Sequence, residues 1–257
     1  MAWIELDGAV NVRDLGGLPT GDGGKTADAR LLRADNLQEL SPSDIALLVG
    51  EIGVTTVVDL RSSSELASEG PAPLDGVAGV RHAHHPVLPE VGSATDAASD
   101  FLLTRAERDR SRYPADAICG HYLGYLDERP DQVAAAVRSV ARSEGAALVH
   151  CAAGKDRTGV VVAVALRAVG VRPEAVIADY AATGERIGPL LARLRRSPAY
   201  AADMGSEPDE SHRPRPQTMV AFLEQVSSCY GGAVPWLAGH GFGPDDLRLL
   251  RTKLLRP

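Results

Sequence analysis

Ser41-Pro42-Ser43-Asp44 sets a hydroxyl cap, a proline at the first helical position and an acid in the first turn ahead of apolar Ile45, Leu47, Leu48 and Val49, which predicts a short helix over 41–53. Val54-Thr55-Thr56-Val57-Val58-Asp59-Leu60 follows, dense in β-branched residues and ending beside Arg61; it reads as a buried strand that delivers polar groups at its C-terminal end. A second strand is predicted over Val80 to Val87, then a small, polar, Ala/Ser-rich loop from Pro89 to Ser99 and a helix through Arg112 that Pro114 breaks. Helices are predicted over 116–128 and 131–143. The run Ala146 to His150, a glycine-containing turn and the apolar segment Val160 to Val169 parse as strand, loop and buried helix. From Pro173 onward the pattern is helical, interrupted at Pro189, at Pro198 and by the loop Gly205 to Pro216. Strands interleaved with helices, then helices alone, predict an α/β fold with a central, mostly parallel sheet and a helical C-terminal region.

A chain of 257 residues stays within the reach of one α/β domain, so one domain spanning 1–257 is the expectation. The hydrophobic share of 44% and charged share of 24% are globular averages; with aromatics at 4%, the core must come mainly from Ala, Val and Leu. A net charge of −7 argues against nucleic acid or an anionic membrane as partner, because phosphate backbones attract basic surfaces. Cys119, Cys151 and Cys229 are too few and too widely spaced for a disulfide framework, and no spacing suggests zinc, so a reducing cytoplasm is expected. The opening MAWIELDGAVNVRDLGG has acids and glycines where a signal peptide needs a basic start and an apolar run, although export without such a peptide stays open. The stretch Gly159 to Leu166 is far short of the ~20 residues a membrane span needs.

The chemistry concentrates in His150-Cys151-Ala152-Ala153-Gly154-Lys155-Asp156-Arg157-Thr158-Gly159, a Cys and an Arg separated by five residues at a strand-to-helix junction. A short loop closing onto a helix N-terminus gathers backbone N–H groups into one concavity that suits a tetrahedral anion. Small Ala152, Ala153 and Gly154 let the backbone approach closely, and the planar fork of Arg157 grips two oxygens as a lysine cannot. A free thiol is only a few per cent thiolate at neutral pH, and the positive field of the loop favours the thiolate. Cys151 is then the expected nucleophile on phosphorus, giving a phosphocysteine intermediate, with Thr158 helping the sulfur leave and His150 orienting the loop from beneath.

The segment resembles the signature of the cysteine-dependent protein tyrosine phosphatase superfamily. More narrowly, Asn11-Val12-Arg13-Asp14-Leu15-Gly16-Gly17, Val58-Asp59-Leu60-Arg61-Ser62 with Glu65, the GKDRTG loop, Asp179-Tyr180 and Pro216-Gln217-Thr218-Met219 are similar to the bacterial tyrosine phosphatases of the mycobacterial phosphatase B subfamily, over nearly the whole chain. The resemblance implies a tyrosine phosphatase-like fold and cofactor- and metal-free hydrolysis of phosphomonoesters. It also implies a helical lid, which maps onto 184–216, and a breadth that takes in phosphotyrosine, phosphoserine/threonine and phosphoinositides and goes with a lysine at Lys155. The expected partners are a phosphorylated protein or a phosphoinositide.

A leaving alkoxide needs a proton, and a carboxyl group near it contributes typically 10²–10⁴-fold. No Trp-Pro-Asp tripeptide is present, since Trp3 and Trp236 lie near the termini, so the acid comes from elsewhere. Asp156 is the first candidate and Asp59 the second, with Asp14 a loop-ordering residue; the bland reading of Asp156 is a pairing with a nearby Arg or a cap on backbone N–H groups. Cys119 and Cys229 read as small buried hydrophobes. His82 and His84 share a strand face, with His85 next to them, yet without a carboxylate or Cys pattern the three read as edge or capping groups rather than metal ligands. Arg195-Arg196 reads as a solvated face and Gly21 to Gly24 as a turn. Three rival functions remain: a phosphoinositide or inositol-polyphosphate phosphatase using the same loop, an inactive phosphate-binding module, and a sulfur transferase.

Overall fold

The computed structural model describes residues 1–88, 111, 113–201 and 208–256. Among the described residues six strands form one sheet: β1 (Ala2–Trp3), β2 (Arg13–Asp14), β3 (Leu31–Ala34), β4 (Val54–Asp59), β5 (Arg81–His84) and β6 (Ala146–His150). Their order is β1-β2-β3-β6-β4-β5; the last four are mutually parallel, and β1 and β2 add antiparallel pairings at one edge. Every residue of β6 is buried, which is why it reads as an unbroken apolar run. The register aligns Ala34 with His150, His150 with Asp59 and Asp59 with His84, so four strand ends meet in one row at the carboxyl edge of the sheet.

The side-chain alternation of the strands splits the core in two. On one face Val58 and Val149 pack with Tyr122, Val137, Val161 and Phe222; on the other Val57 and Leu148 pack with Leu32, Leu48 and Leu74. The first face is covered by α3 (Ala117–Glu128), α4 (Pro130–Ala141), α5 (Asp156–Ala168), α6 (Pro173–Ala182) and α8 (Pro216–Tyr230), with α9 (Ala233–Gly239) and α10 (Pro244–Leu254) around them; the second by α1 (Pro42–Ile45) and its π-helical continuation Ala46–Glu51. The predicted cap is present, Ser41 and Asp44 forming a reciprocal capping box. A second box, Ser62 with Glu65, starts α2 (Ser63–Glu69). A third apolar cluster joins Ile187, Leu190, Leu191 and Leu194 of α7 (Ile187–Leu194) to Ala199, Tyr200 and the loop residue Ala152.

The strand over Val54 to Leu60 and that over Ala146 to His150 lie where the sequence puts them, and the second predicted strand shortens to Arg81–His84. β1, β2 and β3 have no counterpart in the sequence reading: they are two to four residues long, and Arg13 and Arg33 interrupt their apolar pattern while being fully buried. Pro189 does not break its helix. It falls in the first turn of α7, where the missing N–H has no intrahelical partner to lose. Pro216 likewise opens α8. α5 begins at Asp156 rather than Val160, so its first turn belongs to the loop. Cys119 is buried as expected, but Cys229 is exposed on α8 with Sγ 3.6 Å from Gln225 Oε1: an apolar sequence neighbourhood did not make it a core residue. The predicted loop and helix over 89–112 fall almost wholly outside the described residues, as does 202–207 of the expected lid.

Candidate active site

β6 ends at His150, and 151–155 curl into the N-terminus of α5. Gly154 has φ +63°, and a Cβ there would stand 2.2 Å from the Ala34 carbonyl oxygen, so only glycine lets the loop pack against the end of β3. The loop carbonyls are held from outside. Ala152 O accepts from Asn36 N at 2.9 Å, Ala153 O from Asn11 Nδ2 at 2.8 Å, and Gly154 O from Arg33 Nη2 at 2.5 Å. No cis peptide bond occurs among the described residues, and a trans peptide sets its N–H opposite its C=O. The N–H groups of 153, 154 and 155 therefore point away from those three partners.

The clamps on that loop are themselves anchored. Asp179, buried on α6, takes Arg13 Nε at 2.8 Å and Arg33 Nη1 at 2.5 Å, while Arg13 Nη1 reaches Asn11 Oδ1 at 2.5 Å. Burial alone would raise the Asp179 carboxyl; Arg33 and Arg13 hold it below the usual carboxylate range. Burial also lowers Arg13 to about 10. Asp14 sits outside this network, accepting from Gly16 N at 3.0 Å and Ala29 N at 2.8 Å.

Cys151 lies at the base of the loop, and the Thr158 hydroxyl donates to its Sγ at 3.2 Å. Arg157 is fixed by Glu65, whose two oxygens accept from Nη1 at 2.6 Å and Nη2 at 2.9 Å. Glu65 is fully buried, yet Arg157 and the Ser62 N–H pull its carboxyl below the ordinary value against that burial. Asp59 is gripped by Arg61 through Nε at 3.0 Å and Nη2 at 2.6 Å, and His150 Nε2 stands 3.3 Å from it. Burial would raise Asp59, but His150 and Arg61 hold it well below the carboxylate range. Asp59 thus ends β4 beside His150 of β6 with its carboxylate held between Arg61 and His150.

Asp156 differs. Its side chain keeps 30% exposure, its Oδ1 accepts a hydrogen bond from Tyr122, and Lys155 Nζ is 3.5 Å from its Oδ2. Lys155 Nζ also donates to His212 O at 2.9 Å. Ala152 is packed under α7, and Arg193 of α7 pairs with buried Asp35 at 2.7 Å. Cys151 is only 2% exposed. The three histidines diverge: His82 bonds to Leu74 O, His84 to Arg61 O and His85 to Ser139 Oγ.

Sequence reasoning brought together Cys151, Lys155, Asp156, Arg157 and Thr158 and named Asn11, Glu65 and Asp179 only as landmarks of the resemblance; the structure gives those three their contacts and adds Arg33 and Tyr122. The Ser62-to-Glu65 capping spacing was the available signal for Glu65; Arg33 and Tyr122 carry no local signal.

The family model described as "Tyrosine phosphatase family" matches residues 4–256. The chain is 32% identical to the triple specificity protein phosphatase PtpB of Mycobacterium tuberculosis, over 99% of this chain and 100% of that protein. It is 33% identical to a tyrosine-protein phosphatase of Nostoc commune, over 46% of this chain and 42% of that one. With the Cys-to-Arg loop seated between a parallel strand and a helix, these matches leave one conclusion: the chain belongs to the tyrosine phosphatase family.

Proposed function

We propose that the protein hydrolyses phosphotyrosine in proteins through a phosphocysteine intermediate and also accepts phosphoserine, phosphothreonine and phosphoinositides, with 1–257 working as one domain in a reducing cytoplasm. In the first step the Cys151 thiolate forms a bond to phosphorus as the ester P–O bond breaks, and Asp156 gives its proton to the departing oxygen. The loop N–H groups and Arg157 stabilise the equatorial oxygens. Water then attacks phosphorus, Asp156 takes its proton, the P–S bond breaks and the Thr158 hydroxyl stabilises the leaving thiolate. The observation that carries this reading is the contact from Thr158 Oγ1 to Cys151 Sγ at the mouth of α5, with Arg157 locked by Glu65. The breadth of substrate rests on Lys155 and on the similarity to a triple specificity phosphatase. Residues 184–216 act as a lid, a reading supported by the packing of α7 on Ala152 and by the pairing of Arg193 with Asp35.

Cys151→Ser is expected to abolish release of phosphate from phosphotyrosine peptide, phosphoserine peptide and phosphoinositide in a malachite-green assay while the fold persists. Retained turnover would overturn the mechanism. Hydrolysis of inositol phosphates alone would replace the protein-directed reading, and a native protein inert on the whole panel would make it a binding module. Thiosulfate turnover would restore the sulfur transferase.

A further inference from the structure

Two buried phenols converge on Asp156, and the loop chemistry above does not use them. Tyr122 on α3 donates to Asp156 Oδ1, and the Tyr180 hydroxyl on α6 lies 2.8 Å from that of Tyr122. Tyr122 is fully buried and Tyr180 is 2% exposed. A phenol has one proton, and Tyr122 spends it on the carboxylate oxygen, so it can only accept from Tyr180. The direction of the relay is therefore fixed: Tyr180 to Tyr122 to Asp156. Burial pushes Tyr122 well above the ordinary phenol value and raises Tyr180 too, so both stay protonated donors through neutral pH. The rings are held independently of their hydroxyls. Tyr122 meets Tyr180 edge-on at 6.2 Å and Phe222 edge-on at 6.0 Å.

We propose that Tyr122, backed by Tyr180, is a positioning residue for the general acid: by occupying Oδ1 of Asp156 it confines the transferable proton to Oδ2, the oxygen on the Lys155 side. An unheld carboxyl at the first position of a helix can rotate or cap backbone N–H groups, the idle role that the sequence reading set against catalysis. The relay removes that alternative, and it ties the acid to α3 and α6 as well as to its own helix. The proposal rests on Asp156 being the acid.

The test compares native protein, Tyr122→Phe, Tyr180→Phe, Asp156→Asn and the double variant Tyr122→Phe/Asp156→Asn on p-nitrophenyl phosphate and on an alkyl phosphate, with melting curves for each. Tyr122→Phe should lower kcat on the alkyl ester by roughly tenfold, a fraction of what an acid contributes, with KM unchanged and p-nitrophenyl phosphate little affected. Tyr180→Phe should do the same to a smaller degree. The double variant should be no slower than Asp156→Asn, because the relay has nothing left to hold. A merely structural hydroxyl lowers the melting temperature and slows both esters equally, and that result in both single Tyr→Phe variants overturns the proposal. So does additive loss in the double variant. If Asp156→Asn slows both esters equally, the acid assignment fails and the relay with it; if Asp156→Asn is selective for the alkyl ester and Tyr122→Phe is not, the relay alone fails.

Discussion

Glu65→Gln removes one charge and almost no volume at the point where α2 meets the phosphate loop. Glu65 Oε2 accepts from both Arg157 Nη1 at 2.6 Å and Ser62 N at 2.8 Å, and Oε1 accepts from Arg157 Nη2 at 2.9 Å. A glutamine that keeps its oxygen on the doubly used side turns its NH₂ toward Nη2, donor against donor. The guanidinium, 4% exposed as a residue, then lacks its counter-charge. Breaking a buried pair from one side costs about 3–5 kcal/mol, and the lower figure is apt because two of three hydrogen bonds survive. In a chain of this length ~3 kcal/mol lowers the melting temperature by about 6–12 °C. A drift of Arg157 by about 1 Å should cost about 10²-fold in kcat/KM. The paired carboxyl titrates below its ordinary range in the folded protein, so its contribution to stability is complete above the unfolded value of ~4.3 and fades as pH falls through the lower folded value. Urea titrations of both proteins at pH 7 and at acid pH measure this. Equal stability at pH 7, or a difference that does not shrink in acid, would show that Arg157 does not depend on the Glu65 charge.

Gly154→Ala forces a Cβ to within 2.2 Å of Ala34 O and should lower kcat/KM by about 10²-fold with the circular dichroism spectrum retained; full activity would mean the loop tolerates a shift. Asp59→Asn should slow aryl and alkyl phosphates to the same degree, because Asp59 braces Arg61 and His150; selective loss on the alkyl ester would make it the acid instead. Arg193→Ala leaves Asp35 buried without its cation and should speed alkylation of Cys151 by iodoacetamide about tenfold, as α7 opens more often; an unchanged rate would refute α7 as the cover.

The sequence made the nucleophile, the arginine and the central strands legible because each leaves a local trace: a fixed spacing, a β-branched run, a capping box. What it hid was long-range. β3 contains Arg33, and a buried arginine in a four-residue strand reads as surface until Asp179, 146 positions away, is seen to receive it. Tyr122 lies 34 positions from Asp156 and fits its helix as a core aromatic in either case. Pro189 misled because proline marks a break only inside a helix, and nothing local says that α7 begins two residues earlier.

The net charge of −7 says little about the electrostatics where substrate binds. Around the loop, among the described residues, the cations Arg13, Arg33, Arg61, Arg157 and Arg193 face the buried carboxylates Asp179, Asp59, Glu65 and Asp35, five against four. The surplus arises where Arg13 and Arg33 share Asp179, next to the carbonyl of Gly154. Each of these cations is paired by an acid of another element or of its own strand end, Asp59 on β4, Glu65 on α2 and Asp179 on α6 among them, so their hydrogen bonds set geometry while the surplus sets sign. A thiolate or a phosphate dianion is the charge that such a site lacks. An acidic protein can hold it because the compensation is local and desolvated, where charges interact several-fold more strongly than across the solvated surface.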